Sequence, residues 1–156
     1  MKLLSLFFIM LLLSACETDG VKSNAELAPQ MGDKIAVPKR TPYLMIASAQ
    51  ISPSIKTVRG GVEFEVAVNE SKQIIYISSS SPAFRTPEGL SLDSTLEQVL
   101  ASGGDKVVYE PGWAHYSVLP SGWCAAFYGF ASRGNGKVNY DPPDATTKVT
   151  YYFKRK

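Results

Sequence analysis

The chain has 156 residues, 45% of them hydrophobic and 19% charged, with 16 basic against 14 acidic side chains and a formal net charge of +2. That length suits one folded domain with a segment outside it. The near balance of charge argues against nucleic acid as a partner, since such binding rests on a concentrated basic surface.

The amino-terminal stretch opens with Met1 and Lys2, followed by an apolar run from Leu3 to Leu13 broken only by Ser5. A membrane span needs about 20 apolar residues to cross roughly 30 Å of hydrocarbon, so this run is too short. It has the length of a signal-peptide core, with small residues after it where a signal is cut. Leu13-Ser14-Ala15-Cys16 then resembles the lipobox of bacterial lipoproteins: an aliphatic residue, two small ones and a cysteine. The resemblance implies cleavage between Ala15 and Cys16, diacylglycerol on the Cys16 sulfur, and acylation of the new amino terminus, palmitate being such a chain. Two or more acyl chains hold a protein firmly to a membrane, whereas one does so only marginally. An ordinary secretory signal ending near a cysteine is the plainer alternative, but charge, length and motif agree on the lipoprotein. Glu17 stands where an aspartate would favour inner-membrane retention, so the resemblance points to the outer membrane, facing the periplasm.

Cleavage of 15 residues leaves 141, with Lys2 the only charge removed. Residues 16–40 contain the lipid-bearing cysteine, mixed charges and two prolines without sustained apolar period, which reads as a flexible tether. As a random coil it would reach roughly 25–30 Å. Residues 41–156 are expected to form a single β-rich domain.

Val62, Phe64, Val66 and Val68 alternate with Glu63, Glu65 and Ala67, the period of a half-buried strand. A preceding strand over residues 55–58 joins it through Gly60-Gly61, and a following one over 73–79 through the turn at Asn69 to Lys72. Three hairpin-linked strands make a meander. Ser94-Thr95-Leu96-Glu97 has capping-box form, Leu96, Val99 and Leu100 share a helical face, and Gly103-Gly104 supplies a left-handed stop. So short a helix depends on docking against the sheet. Further strands are expected over 106–110, 115–119, 123–130 and 148–153, with Val149, Tyr151 and Phe153 on one face and a loop over 131–147. The fold class is therefore α+β, an antiparallel sheet of six or seven strands with one short helix packed on it.

The stretch Thr86-Pro87-Glu88-Gly89-Leu90 leading into the capped helix up to Leu100 is similar in style to the helix entry of small SmpA/OmlA-type envelope lipoproteins. Those place helices on a small antiparallel sheet and assist outer-membrane barrel assembly. The likeness covers about 15 of the 156 residues and departs from that pattern where strands precede the helix, so it implies a fold style rather than an activity.

The candidates for chemistry are few. His115 is the single histidine, and Cys124 the one cysteine left once Cys16 carries lipid, which excludes a disulfide within the domain. If the hairpin turns tightly at Pro120-Ser121, Ser117 opposes Cys124 and His115 lies diagonally on the same face, within reach of a Cys–His nucleophile pair. A loop one residue longer puts the two on opposite faces. The plainer reading makes Cys124 a small buried hydrophobe in an apolar strand. Asn139, Asp141 and Asp144 supply oxygens but lack the spacing of a calcium loop, so a rigid turn is expected and no metal. Glu63 and Glu65 share a strand face as a general acid and base would, or as a solvated face does. Arg133-Gly134-Asn135-Gly136 reads as a turn. The basic Lys154-Arg155-Lys156 reads as a frayed, solvated end. Aromatics crowd the last third, divided in unknown proportion between core and interface.

The sequence thus favours a membrane-anchored envelope lipoprotein acting as a non-catalytic protein-interaction or assembly-support module, with an envelope protein as partner and no cofactor. The alternative is a small-ligand binder or hydrolase using a pocket near His115 and Cys124.

Overall fold

A computed structural model describes residues 22–127, 131–134 and 137–156. Cys16, the cut site and Glu17 lie outside them. The elements run β1 (Tyr43–Ala47), β2 (Gln50–Arg59), β3 (Val62–Val68), β4 (Ile74–Ser79), α1 (Leu96–Ala101), β5 (Val108–Glu110), β6 (Ala114–Val118), β7 (Cys124–Phe127), β8 (Ala131–Gly134), β9 (Lys137–Tyr140) and β10 (Tyr151–Arg155). The α+β class holds. The strand number is larger than expected: eight strands form one sheet in the order β1-β2-β3-β4-β10-β7-β6-β5, and β8 pairs with β9 separately.

Every pairing in the main sheet is antiparallel. It consists of two meanders, β1 to β4 and β5 to β7, joined by β10, which bonds to β4 on one side and β7 on the other. Gly60 and Gly61 both adopt positive φ, +56° and +80°, between Arg59 and Val62, which pair directly. That is the two-residue hairpin turn whose twist matches the flanking strands. Three strands lie outside the sequence expectation, β1, β8 and β9, and β2 runs well beyond the expected 55–58. Pro53 sits inside β2, and a proline within a strand pattern argues against it. Here Ser54 donates its N–H to Pro42 O on the β1 side, so the missing N–H of Pro53 falls on the β3 side, beyond Ser54 where that ladder begins. The β8–β9 hairpin hides in a Gly-rich stretch taken for loop.

The sheet curls, and its two faces carry separate cores. The outer face presents Val62, Phe64, Val66 and Val68, all essentially inaccessible to solvent, to Leu96 and Val99 of α1 and to Phe84, Trp123 and Tyr152. Phe84 stands at the centre of an aromatic cluster, 4.8 Å from Trp123, 5.5 Å from Tyr152 and 5.9 Å from Phe64. Burial of such a ring contributes about 2–3 kcal/mol. The inner face holds Tyr76, Phe153, Tyr151 and Ile46 among the small residues Ala67, Cys124 and Ala126, which leave room for the rings on the inside of the bend. Val149 does not join Tyr151 and Phe153. It precedes β10, donates its N–H to Ser94, and belongs to the outer core.

Helix α1 starts one residue later than the expected cap. Thr95 accepts from the Gln98 N–H through Oγ1 and donates its own N–H to Gln98 Oε1, so the box is Thr95–Gln98 and not Ser94–Glu97. The cause is tertiary. Thr95 pairs with Lys148 in an extended bridge, and Ser94 Oγ is occupied by the Ser91 N–H. The helix closes as a Schellman motif, with Gly104 N–H on Val99 O and Gly103 N–H on Leu100 O, Gly103 taking φ +87°. Leu100 points outward and is exposed.

The segment read as a flexible tether is divided. Residues 23–37 form a strap across the outer face. Ala28 joins the core and Ala25, Leu27, Met31, Ile35 and Val37 pack against it. Asn24 exchanges hydrogen bonds with Arg85, and Gly32 and Ile35 donate to Ile74 and Lys72 at the β3–β4 turn. Apolar residues without helical or strand period read as linker in sequence, yet here they cover a sheet face that would otherwise be wet.

Candidate functional site

The inner face of the curl is partly empty. A cleft of about 430 Å³ opens there, walled by Leu44, Met45, Tyr76, Trp113 and Tyr151 and floored by Lys56, Glu63, Glu65 and Ser78. Its size falls within the range of small-ligand pockets.

The floor follows from strand alternation. Phe64 is locked into the outer core, so Glu63 and Glu65 on either side of it must face inward. Cross-strand neighbours hold both carboxylates on the diagonal. Lys56, paired with Glu65, reaches Glu63 Oε1 at 2.9 Å, and Ser54, paired with Ala67, donates to Glu65 Oε1 at 2.8 Å. The Glu63 hydrogen bond raises the Lys56 pKa. Ser78 lies opposite Glu65 on β4 and donates to its carbonyl oxygen.

The walls come from the far end of the sheet. The β5–β6 turn brings Trp113 over the inner face, where its indole Nε1–H donates to Met45 O of β1 at 3.1 Å. Trp113 stacks edge-on against Phe153 (4.9 Å) and Tyr76 (6.4 Å). Ser48, after β1, donates its N–H to Glu110 Oε1 at 2.7 Å and its hydroxyl to Pro111 O. Edge strands at opposite ends of the sheet are thereby clamped together, and the cleft lies behind the clamp.

Arg155 completes that clamp. Its guanidinium contacts Glu110 at 2.7 Å and 3.3 Å, donates to Tyr116 Oη at 3.0 Å, and lies 4.8 Å from the Trp113 ring centroid. The Arg155 hydrogen bonds hold the Glu110 carboxyl below its ordinary pKa. The basic residues near 154–156 are therefore structural rather than frayed. Arg155 is a paired residue of β10, and Lys154 lies 5.3 Å from the Trp123 ring.

His115 and Cys124 are not brought together. Val118 opposes Cys124 and His115 opposes Phe127. The turn holds three residues, Pro120 to Gly122, with Leu119 N–H on Trp123 O and Gly122 at φ +78°. That extra residue shifts the register and sends the two side chains to opposite faces. Cys124 is a buried free thiol whose pKa burial pushes up to about 11. His115 is buried and stacked on Tyr109 at 4.6 Å, its pKa lowered by the same desolvation. Neither lines the cleft.

Asp144 organises a turn: its Oδ1 accepts from Thr146 N–H, Thr146 Oγ1 and Thr147 Oγ1, which lowers its pKa. Asp141 is exposed. The Asn139 side chain lies outside the described residues. Among the described residues no group of three His, Cys, Asp or Glu could hold a metal ion, and no helix is long and apolar enough to cross a membrane.

Of the aromatics, Trp123, Phe127, Tyr151, Tyr152 and Phe153 are core, while Trp113 and Tyr116 are half-buried at the clamp. Sequence alone does not single out Lys56, Tyr76 or Met45, and offers Glu63 and Glu65 either as a general acid and base or as a solvated face. The alternation of Ser54 and Lys56 opposite two glutamates was visible. Nothing in it showed that a tryptophan 50 residues later would roof that face. Comparison with family models, with curated proteins and with solved structures returns no match for this chain.

Proposed function

We propose that this chain is a lipid-anchored, non-catalytic binding module of the bacterial cell envelope, and that the inner cleft is its working site. The observation that carries the reading is the cleft itself: a concavity of about 430 Å³ with aromatic walls and a few convergent polar groups, the composition expected of a binding site. The separation of His115 from Cys124 removes the nucleophile pair from consideration and moves the pocket away from both.

The anchor is lipid on Cys16, with the outer membrane facing the periplasm as its address. Docking of the strap from Ser23 leaves six residues between it and Cys16, seven Cα–Cα steps with a reach of at most about 25 Å. The strap lies on the outer face, opposite the cleft. Palmitate incorporation into the wild type and its loss in Cys16→Ser test the anchor. The site is tested by titrating small aromatic fragments into the protein while following backbone amide signals. Saturable shifts should converge on residues 44–45, 76 and 113, and shifts scattered over the surface or centred on Cys124 would sink the assignment.

A protein partner is the second reading, favoured by one patch. Met45 opposes Ile51 and Tyr43 opposes Pro53 on the β1–β2 ribbon, and Tyr43, Met45 and Ile51 are 67%, 45% and 62% exposed. Large apolar groups exposed together on an edge are what a partner covers. A photo-crosslinker at Ile51 that captured no envelope protein in cells would count against it.

A further inference from the structure

Resting on the reading of the cleft as a ligand site, we propose that its ligand carries an organic cation, an ammonium or guanidinium group, on a flat apolar body, with the charge at Glu65 and the body against the aromatic walls. Three charged side chains line the cleft, Lys56, Glu63 and Glu65, so its lining is net negative. Lys56 is engaged by Glu63 at 2.9 Å. Glu65 is held by a neutral hydroxyl, that of Ser54, and among the described residues it forms no salt bridge. Arg155, the cation of the neighbouring clamp, is neutralised by Glu110 with both nitrogens engaged. Glu65 is therefore a carboxylate inside the concavity without a direct ion pair, its cross-strand neighbour Lys56 making its close contact to Glu63.

The walls point the same way. Tyr76, Trp113 and Tyr151 line the cleft, and aromatic π systems favour a cation over an anion. The clamp already uses this chemistry, since Arg155 lies over Trp113. An anionic ligand would meet Glu63 and Glu65, with Lys56 of the lining already paired to Glu63. A neutral ligand would gain the walls but nothing from the floor.

Phenethylammonium, 2-phenylethanol and phenylacetate keep the ring and change the charge. They are titrated into the whole lipidated chain in nanodiscs, with both tryptophans fluorine-labelled. Trp113 lies in the cleft and Trp123 in the opposite core, so the second signal is an internal control. The expected result is a saturable Trp113 shift with Trp123 unmoved, and phenethylammonium binding about tenfold tighter than phenylacetate, an advantage that shrinks with added salt. Glu65→Gln should abolish the preference. Lys56→Gln, at an exposed position, should tighten phenethylammonium binding severalfold. Equal affinity for the cation and the neutral alcohol, or no change in both variants, overturns the charge assignment and leaves the cleft as a ligand site. No Trp113 shift with any of the three overturns both.

Discussion

Arg155 and Glu110 form a two-point ion pair, Nη2 to Oε2 at 2.7 Å and Nη1 to Oε1 at 3.3 Å, that fastens the seam strand β10 to the edge strand β5. Glu110 also accepts from Ser48 of the β1–β2 turn, and Arg155 donates to Ile46 O of β1. One pair thus spans both ends of the eight-stranded sheet. Through Ser48 and Ile46 it ties the two edges of the curled sheet together.

Both partners are less than a third exposed, so removal of one leaves a poorly solvated charge. Arg155→Ala should cost about 3 kcal/mol in urea unfolding. Arg155→Lys should recover only part of it, because an ammonium lacks the planar fork and the ring contacts. A double-mutant cycle with Glu110→Gln should show coupling of at least about 1 kcal/mol. Strict additivity would mean that the pair does not hold the clamp.

Acid should destabilise the fold in two stages. The His115 pKa is lowered by burial, so below about pH 6.5 the unfolded chain binds the proton more readily and stability falls as pH drops. Glu110, held by Arg155, has a lowered pKa. So does Glu88, where hydrogen bonds from the N–H and hydroxyl of Ser121 outweigh a burial effect that raises it. Both contribute stability above the ordinary carboxylate pKa that is lost as pH falls through their folded values. Melting temperatures across pH 3–8 should decline from neutrality downward, and His115→Phe, which keeps the stack on Tyr109, should flatten the segment between pH 5 and 7. A curve unchanged by that substitution would mean His115 takes up its proton as readily folded as unfolded.

The Cys124 thiol should be inert in the native protein. With its pKa near 11, about one molecule in a thousand is thiolate at pH 8, and the sulfur is buried on the inner face besides. An aromatic disulfide reagent should label it only at the rate of unfolding, and fully in denaturant. Fast native labelling would place Cys124 at an accessible surface.

The strap should behave as part of the domain. Leu27 packs against the core and lies over Gly60, where an added Cβ would meet its Cδ1. Leu27→Ala should cost about 1–2 kcal/mol, below the full-burial range because the side chain is partly exposed. Gly60→Ala should cost about as much, from the positive φ and from displacing Leu27. Limited proteolysis should cut before residue 23 and spare 24–37. Early cleavage inside the strap would show that it does not stay docked.

The helix cap offers a one-residue test of register. Thr95→Ala should cost about 1 kcal/mol and Gln98→Ala somewhat less, whereas Glu97→Ala should be close to neutral. The opposite order would restore the Ser94–Glu97 box that the sequence alone suggests.

Local rules were enough to read strand β3, the Gly60-Gly61 hairpin, the short helix with its Gly103 stop, and the α+β class. Each depends on neighbours within about ten residues. Alternation around Phe64 also determined that Glu63 and Glu65 share a face. Which face that is, and whether it is wet, was decided elsewhere. Phe84, Trp123 and the strap claim one side of the sheet as core, and Trp113 arrives from the other end of it to roof the second. The His115–Cys124 relation turned on whether the 119–123 hairpin held two residues or three, a difference of one residue in register that reverses a face. The Thr95 cap was settled by a bridge to Lys148, more than 50 residues away. Sequence spacing specifies period and turn; the curl of a sheet closes through contacts between strands far apart in the chain, and in this protein the Arg155–Glu110 pair and the Trp113 hydrogen bond make that closure and the cleft with it.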